Sequence, residues 1–210
     1  MKIKFIEIHD VSRKDFGAAM EIYSEAFPRN ERHATDIIRD RIAQGLGKLY
    51  IGLARDEAVF MAMLWPLKGT DFILLDYMAA KSACRNKGIG AMFIRELSGI
   101  LRSGNKQLLA EVEDPMYGDN KAERIRRVYF YKRNGMKELK DVRYMLPPLQ
   151  GGAATEMILM IFPGYEAGVA DGAVIRDAVV QIYLELYGRD SADPLLRPFY
   201  GSIGRSVILT

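Results

Sequence analysis

Cysteine and histidine are scarce in this sequence. Cys84 is the single cysteine, which excludes an internal disulfide framework and a zinc site built from several cysteines. No base is apparent beside it, so we interpret Cys84 as a packing residue rather than a catalytic thiol. The two histidines, His9 and His33, show no metal-ligand spacing with that cysteine. We therefore expect both histidines on the surface and no metal cofactor.

Long apolar runs are also missing. The longest, Ala58–Trp65, has the length of a β-strand and falls short of the roughly 18–20 residues that a membrane-spanning helix needs. The opening residues, MKIKFIEIHD, interleave charged and apolar side chains and contain no apolar signal segment. We expect a cytoplasmic protein without a membrane partner.

No charge of one sign dominates, since the net charge is +3 and the isoelectric point is near 8.9. This excess is too small to indicate nucleic acid binding, although it suits a modestly anionic small partner. Hydrophobic residues make up 49% of the sequence and charged residues 27%, a balance typical of a folded globular chain. Wholesale disorder is therefore excluded.

Hydrophobic periodicity predicts a mixed α/β chain of the α+β type, because the strands and helices do not alternate regularly. The alternation of the first strand slips between Phe5 and Ile6, which predicts either a β-bulge or a strand covered partly on both faces. Ser12 and Asp15 resemble a capping box ahead of the first helix, which Pro28 ends. The other predicted helices are 35–43, 90–102, 121–133 and 173–187, and the other predicted strands are 48–54, 58–65, 72–80, 107–112, 136–144 and 157–162.

The end of the sequence differs from the rest. Residues 163–172 are rich in glycine, and residues 189–210 show no regular period. Between them, apolar side chains recur with the helical period over 173–187. We therefore predict a domain over 1–162 and a C-terminal extension over 163–210. Two roles stay open for its helix: packing on the domain, or contact with a partner subunit in a homodimer.

The segment with the clearest chemical meaning is Arg85-Asn86-Lys87-Gly88-Ile89-Gly90-Ala91, between a long apolar strand and an amphipathic helix. Its two glycines allow a tight turn and a close approach of a ligand to the backbone. The first N–H groups of the following helix have no partner within that helix, and the helix dipole adds positive potential. Together with the basic side chains, these groups suit a pyrophosphate.

The spacing separates this loop from other phosphate-binding motifs. It lacks the GK[ST] of a Walker A loop and the GxGxxG of a dinucleotide-binding turn, and it reads R-x-x-G-x-G/A. A capped turn without a ligand is the simpler interpretation of so short a motif. A second segment favours the functional interpretation: Arg126–Met136 contains FYKRNGM, on a helix that runs into a strand.

These two segments resemble the GNAT superfamily of N-acetyltransferases, with its R/Q-x-x-G-x-G/A and FYxxxGF motifs. The resemblance covers about residues 1–162. It implies a mixed, mostly antiparallel, twisted sheet flanked by helices, followed here by a C-terminal helical extension. It also implies acetyl-CoA as co-substrate and direct attack on its thioester by a primary amine of a small molecule or peptide.

The resemblance also implies roles for individual residues. The segment Arg85–Ala91 would bind the cofactor pyrophosphate, and a backbone N–H from Met78, Ala79 or Ala80 would stabilise the thioester carbonyl. Tyr131 would give a proton to the departing thiolate, because a phenol with a reference pKa of about 10 stays protonated at neutral pH. The alternative for Tyr131 is a tyrosine that packs on the sheet.

Carboxylates supply the remaining candidates. We take Glu111 as the general base that accepts the proton of the amine, directly or through water. Glu113 lies on the same face of a regular strand and, with Asp76 and Glu31, is a candidate contact for a cationic acceptor. The alternatives are a solvated strand-end carboxylate for Glu111 and Glu113, a second base or solvent exposure for Asp76, and a surface salt bridge for Glu31.

Three functions compete at this stage. The first is the acetyl-CoA-dependent N-acetyltransferase just described. The second is a non-catalytic CoA-binding or ligand-sensing module of the same fold, with the tail helix pairing subunits. The third is an unrelated binder of nucleotide phosphates, which would prefer ATP over CoA.

Overall fold

The computed structural model describes residues 2–149, 151–162 and 168–210. Within them, the strands are β1 (Lys4–Ile8), β2 (Lys48–Ala54), β3 (Glu57–Pro66), β4 (Phe72–Ala80), β5 (Gln107–Glu113), β6 (Lys137–Glu138), β7 (Tyr144–Leu146), β8 (Thr155–Phe162), β9 (Val169–Asp171) and β10 (Ser206–Ile208). The helices are α1 (Lys14–Ala26), α2 (Thr35–Ala43), α3 (Ile89–Ser103), α4 (Lys121–Arg133), α5 (Gly172–Tyr187) and α6 (Arg197–Ser202). The predicted mixed α/β class, with mostly antiparallel strands flanked by helices, is confirmed.

Contacts divide the chain into two compact units. The first comprises Met1–Pro66, Leu75–Leu97 and Leu149–Gly152, and the second comprises Leu67–Leu74, Ser98–Pro148 and Ala153–Thr210. The chain passes between the units inside β4 and inside α3. The division into a domain over 1–162 and an extension over 163–210 stays a prediction.

In the first unit, β1 pairs antiparallel with β2 and β2 with β3, and β4 follows β3 in the strand order. The register of β1 against β2 is continuous, so the predicted bulge between Phe5 and Ile6 is wrong. The register shift lies instead between Gly52 and Leu53 of β2. β1 is partly covered on both faces, because Phe5 packs over Gly52, where a Cβ would lie 3.1 Å from its ring. The core of this unit centres on β3, which is buried from Val59 to Trp65.

The helices of the first unit follow their apolar periodicity, but α1 begins differently from the prediction. α1 buries Phe16, Ala19, Met20, Ile22 and Tyr23 against the strands. Its N-cap is Arg13, without a side-chain cap, so the predicted capping box is wrong. The N–H and hydroxyl of Ser12 instead donate to the carboxylate of Asp10, at 2.9 Å and 2.6 Å. α2 has its predicted bounds.

The second unit is built around β8. β5 pairs antiparallel with β8 from Leu108 to Glu113, and both β6 and β7 also pair with β8. The single strand predicted over 136–144 is therefore broken into two short ones. Asp141 explains the break, because its φ of 62° is a left-handed conformation that a strand cannot contain.

The tail contains more structure than its sequence predicts. α5 forms as predicted, and Asp171 caps it by accepting from the N–H groups of Ala173 and Val174. The segment 189–210, predicted to be irregular, contains α6 and β10, and β10 pairs antiparallel with β9. Strands of three residues carry too little periodicity to be found in a sequence. Residues 163–167 of the glycine-rich stretch lie outside the described residues.

Across the described ranges, no helix has both the length and the apolar character that crossing a membrane requires.

Candidate active site

The loop Arg85–Ala91 links β4 to α3 in the first unit, after a single 3-10 turn over Ser82–Cys84. Two of its residues have left-handed backbone, Asn86 with a φ of 61° and Gly88 with a φ of 75°. The side chains of Arg85, Asn86 and Lys87 are exposed. α3 begins at Ile89, so its first N–H groups lie within this loop and lack helical partners. An exposed basic loop at a helix N-terminus favours an anion.

Neighbouring elements hold this loop in place. The backbone N–H of Ser82 donates to the carboxylate of Glu25 on α1 at 2.6 Å, and the ammonium of Lys87 donates to the carbonyl of Ala83 at 2.9 Å. The bonds from Ser82 lower the pKa of Glu25. The backbone N–H of Lys81 donates to the carbonyl of Val59 on β3 at 2.9 Å. The loop is thus anchored at its entry while its basic side chains face outward.

Glu111, on β5 of the second unit, is held by two tyrosines. The Tyr144 hydroxyl, from β7, donates to Oε1, and the Tyr187 hydroxyl, from α5, donates to Oε2 at 2.8 Å. Burial raises the pKa of Glu111 to about 7, although both phenol hydrogen bonds act to lower it. A carboxyl group with this pKa is partly ionised at neutral pH, which suits a general base.

Glu113, two residues farther along β5, has different partners. Two arginines of α4 bind its carboxylate: Arg124 at 3.0 Å and Arg127 in a direct hydrogen bond. The side chain of Glu113 is 20% exposed. Of these two carboxylates on β5, Glu111 accepts hydrogen bonds from neutral phenols and Glu113 pairs with guanidinium groups.

Asp76, on β4 of the first unit, is buried with its side chain 7% exposed, so solvent exposure is excluded. The indole N–H of Trp65 donates to Oδ2 of Asp76 at 2.6 Å, and Nε2 of His33 lies 4.0 Å from the same oxygen. His33 is itself buried, so its predicted surface position is wrong, whereas His9 is exposed as expected. Burial lowers the pKa of His33 to about 4, so the imidazole is neutral at neutral pH and forms no ion pair with Asp76.

Glu31 lies in the segment between α1 and α2, and its side chain is exposed. Tyrosines hold the backbone of this segment. The hydroxyl of Tyr77, on β4, donates to the carbonyl of Glu31 at 2.9 Å, and the hydroxyl of Tyr23 donates to the carbonyl of His33 at 3.2 Å. The Glu31 carboxylate therefore projects from a backbone that is fixed at two points.

Tyr131 lies in the last turns of α4, in the second unit, and is partly buried beside Phe130. Burial raises the pKa of Tyr131 to about 12, against a smaller opposite effect of Arg127. Its hydroxyl is therefore protonated at neutral pH, which is the state that a proton donor needs.

The fold is shared with a large group of known structures. No family profile and no curated protein matches this sequence. A protein from Bacteroides thetaiotaomicron assigned to the GNAT family of acetyltransferases superimposes with a TM-score of 0.74 at 22% identity, over 89% of this chain and 99% of that one. The chain has the GNAT fold.

Two further GNAT structures have named activities. An N-acetyltransferase from Escherichia coli that modifies an alanine of a ribosomal protein matches with a TM-score of 0.57 at 18% identity, over 79% of this chain and 97% of that one. An aminoglycoside 6′-N-acetyltransferase in complex with coenzyme A matches with a TM-score of 0.57 at 15% identity, over 79% of this chain and 100% of that one. At these low identities, the structural likeness shows a shared fold alone.

Within this GNAT fold, the candidate residues fall into two groups. Met78–Ala80, the loop Arg85–Ala91, Asp76 and Glu31 belong to the first unit, whereas Glu111, Glu113 and Tyr131 belong to the second. No cluster of three or more histidine, cysteine, aspartate or glutamate side chains in the described part of the chain could hold a metal ion.

Sequence reasoning missed the partners of the buried carboxylates. Tyr144, Tyr187 and Trp65 each donate a hydrogen bond to a candidate site residue. The spacing of Tyr187 gave a weak indication that it faces the same side as the apolar stripe of α5, because Tyr183 lies four residues before it, about one helical turn away. Neither Trp65 nor Tyr144 gave such an indication.

Proposed function

We propose that this chain is an acetyl-CoA-dependent N-acetyltransferase that transfers the acetyl group to a primary amine of a small molecule or peptide. One observation carries the proposal: an exposed basic loop, Arg85–Ala91, joins β4 to the N-terminus of α3 in a chain with the GNAT fold. Left-handed backbone at Asn86 and Gly88 turns this loop without side-chain bulk at Gly88.

The loop residues fit the diphosphate of acetyl-CoA. Backbone N–H groups at the start of α3 would bind the phosphate oxygens, and Arg85 and Lys87 would neutralise their charge. A backbone N–H from Met78–Ala80, at the end of β4, would stabilise the thioester oxygen as negative charge develops on it. Acetyl-CoA supplies the activated acyl group when it is bound.

Proton transfer would involve the two titratable groups of the second unit. As the amine nitrogen forms a bond to the acetyl carbon, Glu111 would accept a proton from that nitrogen, directly or through water. As the carbon–sulfur bond breaks, Tyr131 would give its proton to the CoA thiolate. The products are the acetylated amine and free CoA, and the two protein groups exchange protons with solvent between turnovers.

A cationic amine is the acceptor class that the charges favour. The carboxylates proposed to contact it are Glu31, Asp76 and Glu113. Glu31 is exposed, whereas Asp76 already accepts from Trp65 and Glu113 already pairs with Arg124 and Arg127. An acceptor would have to compete with these partners, so Glu31 is the first residue to test.

Two alternatives remain testable. A non-catalytic CoA-binding or ligand-sensing module would use the same loop but transfer no acetyl group, and the presence of a tyrosine at position 131 argues against it. A nucleotide-phosphate binder would be stabilised more by ATP than by CoA. The cytoplasmic location and the homodimer stay proposals that the binding experiments do not address.

Isothermal titration calorimetry with acetyl-CoA tests the loop directly. Wild-type protein should bind, and Arg85→Glu should weaken binding about tenfold or more, because an added negative charge repels the diphosphate. Arg176→Glu, at an exposed arginine of α5, makes the same charge change away from the loop and should bind like wild type.

Turnover is then measured as release of free thiol from acetyl-CoA with a panel of amines: spermidine, kanamycin, lysine and a tripeptide with an N-terminal alanine. Transfer to any of them supports the enzyme, whereas binding without transfer supports the sensing module. No heat with acetyl-CoA, combined with an Arg85→Glu variant that behaves like wild type, rules out the proposal.

A further inference from the structure

The C-terminal segment is part of the machinery that surrounds Glu111. Resting on the proposed function, we propose that Tyr187 of α5, together with Tyr144 of β7, is a positioning residue that orients the Glu111 carboxylate as general base. Tyr187 and the tail elements packed around it would then complete the base site rather than merely cover the sheet.

The hydrogen bonds around Glu111 fix its carboxylate from two sides. Tyr144 donates to one carboxylate oxygen and Tyr187 to the other, at 2.8 Å in the second case. An ionised carboxylate only accepts hydrogen bonds and offers about four lone-pair sites, so each oxygen keeps capacity for one more proton. Two donors on opposite oxygens set the plane of the group while leaving it able to act as a base.

The tyrosines are themselves held by the tail. Tyr183, one turn before Tyr187, contacts it edge-on with ring centres 5.9 Å apart, and Tyr183 contacts Tyr144 in the same way at 6.0 Å. The Tyr183 hydroxyl donates to the carbonyl of Met145. Phe199 of α6 packs edge-on against Tyr144 at 6.5 Å. An aromatic cluster drawn from α5, α6 and β7 therefore determines where both hydroxyls point.

Burial has the largest effect on the pKa of Glu111, and the two phenol hydrogen bonds are the next largest. Besides Tyr144, Tyr183 and Tyr187, the nearby titratable groups after α5 are Arg189, Asp193 and Tyr200. Arg189 and Asp193 pair with each other at 2.6 Å. On β5 itself, the charge of Glu113 is balanced by the two arginines of α4. The phenol hydrogen bonds lower the pKa of Glu111 against the effect of burial. Loss of one bond should therefore raise the pKa of Glu111.

The test is the pH dependence of kcat/KM for thiol release by Tyr187→Phe. Without the phenol hydroxyl, the acidic limb of the profile should move to higher pH by about one unit, since a hydrogen bond to a charged group contributes about that much. The rate below neutral pH should fall about tenfold, and the plateau at high pH should change little. Tyr144→Phe should move the limb in the same direction.

Tyr200→Phe is the matched control, because it removes another tail hydroxyl, which donates to the carbonyl of Ser191 at 2.8 Å and not to the Glu111 carboxylate. A structural role would lower the melting temperature without moving the limb. An unchanged limb in both Tyr187→Phe and Tyr144→Phe, while the wild type turns over, overturns this inference alone. A wild type that binds acetyl-CoA and never transfers the acetyl group removes the proposed function, and this inference with it.

Discussion

The loop Arg85–Ala91 and the surroundings of Glu111 differ in how far solvent reaches their candidate functional groups. The loop is exposed, and its proposed ligand contacts come from backbone N–H groups and two exposed basic side chains. Glu111 is enclosed by Tyr144 and Tyr187, and its chemistry depends on burial. Binding a diphosphate needs positive potential that solvent can reach, whereas tuning a base needs the removal of solvent.

This difference predicts that the two regions fail in different ways. Damage to the loop should weaken binding of acetyl-CoA, because the diphosphate supplies binding energy. Damage around Glu111 should slow the acetyl transfer and change its pH dependence while binding remains. Variants that separate these effects test the comparison.

The largest effect is expected from Glu111→Gln. Removal of the base should lower kcat about 1000-fold, within the range usual for general base catalysis, while calorimetry gives an unchanged affinity for acetyl-CoA. Glutamine keeps the size of the side chain and can still hydrogen-bond both tyrosines. Glu57→Gln, at the exposed first residue of β3, is the control. Retention of more than a tenth of the rate would assign the base to another group.

Tyr131→Phe should follow with a loss of about 100-fold in kcat, because the thiolate would leave without a proton donor. Affinity for acetyl-CoA should again be unchanged. Tyr129→Phe removes a hydroxyl from the same helix at a position that is 64% exposed, and it should turn over normally. Equal rates for Tyr131→Phe and Tyr129→Phe would indicate that Tyr131 is a packing residue and not the proton donor.

Gly172→Ala tests the tail without touching the loop. Gly172 is buried at the start of α5, and a Cβ there would lie 1.8 Å from the carbonyl oxygen of Gly204. We expect a loss of roughly 1–3 kcal/mol in the free energy of unfolding, measured by urea denaturation. Gly201→Ala is matched, because nothing lies within 4 Å of its Cβ position on α6, and it should be neutral or slightly stabilising. Equal stabilities would show that the start of α5 can shift freely.

The smallest effect concerns stability and pH. The pKa of Glu111 is raised from 4.5 to about 7 in the folded protein, so its folded state binds a proton that the unfolded state has lost. Stability should therefore be greatest below the unfolded pKa and fall as pH rises through about 7. In Glu111→Gln, the contribution of this group to the decrease in the free energy of unfolding should be absent when unfolding is measured as pH rises through about 7. Arg85→Glu should retain it, because the loop belongs to the first unit.

The same contrast decides how much the sequence could predict. The turn between β4 and α3 could be predicted because its residues are consecutive and glycine marks the left-handed backbone at Gly88, whereas its role in binding stays a prediction. α2, β4 and α4 were predicted with their observed bounds because their periodicity is local. The partners of Glu111 lie 33 and 76 residues away along the chain, and periodicity cannot say which hydroxyl meets which carboxylate.

The errors have different origins. His33 belongs to a short polar segment, which usually indicates the surface, and only the fold buries it beside Asp76. Ser12 could have capped α1 as its spacing indicated, but it forms a tighter local turn with Asp10. The position of His33 thus depends on contacts distant in the sequence, whereas that of Ser12 depends on a competing local one.

The pairing of β9 with β10 connects the end of the chain to the segment directly before α5. Gly172 donates its N–H to the carbonyl of Arg205 at 2.8 Å. The two paired strands lie directly before α5 and shortly after α6 in the sequence. A protease cut between α6 and β10 would leave β10 attached through strand pairing and other noncovalent contacts alone, so we expect limited proteolysis there to destabilise the start of α5.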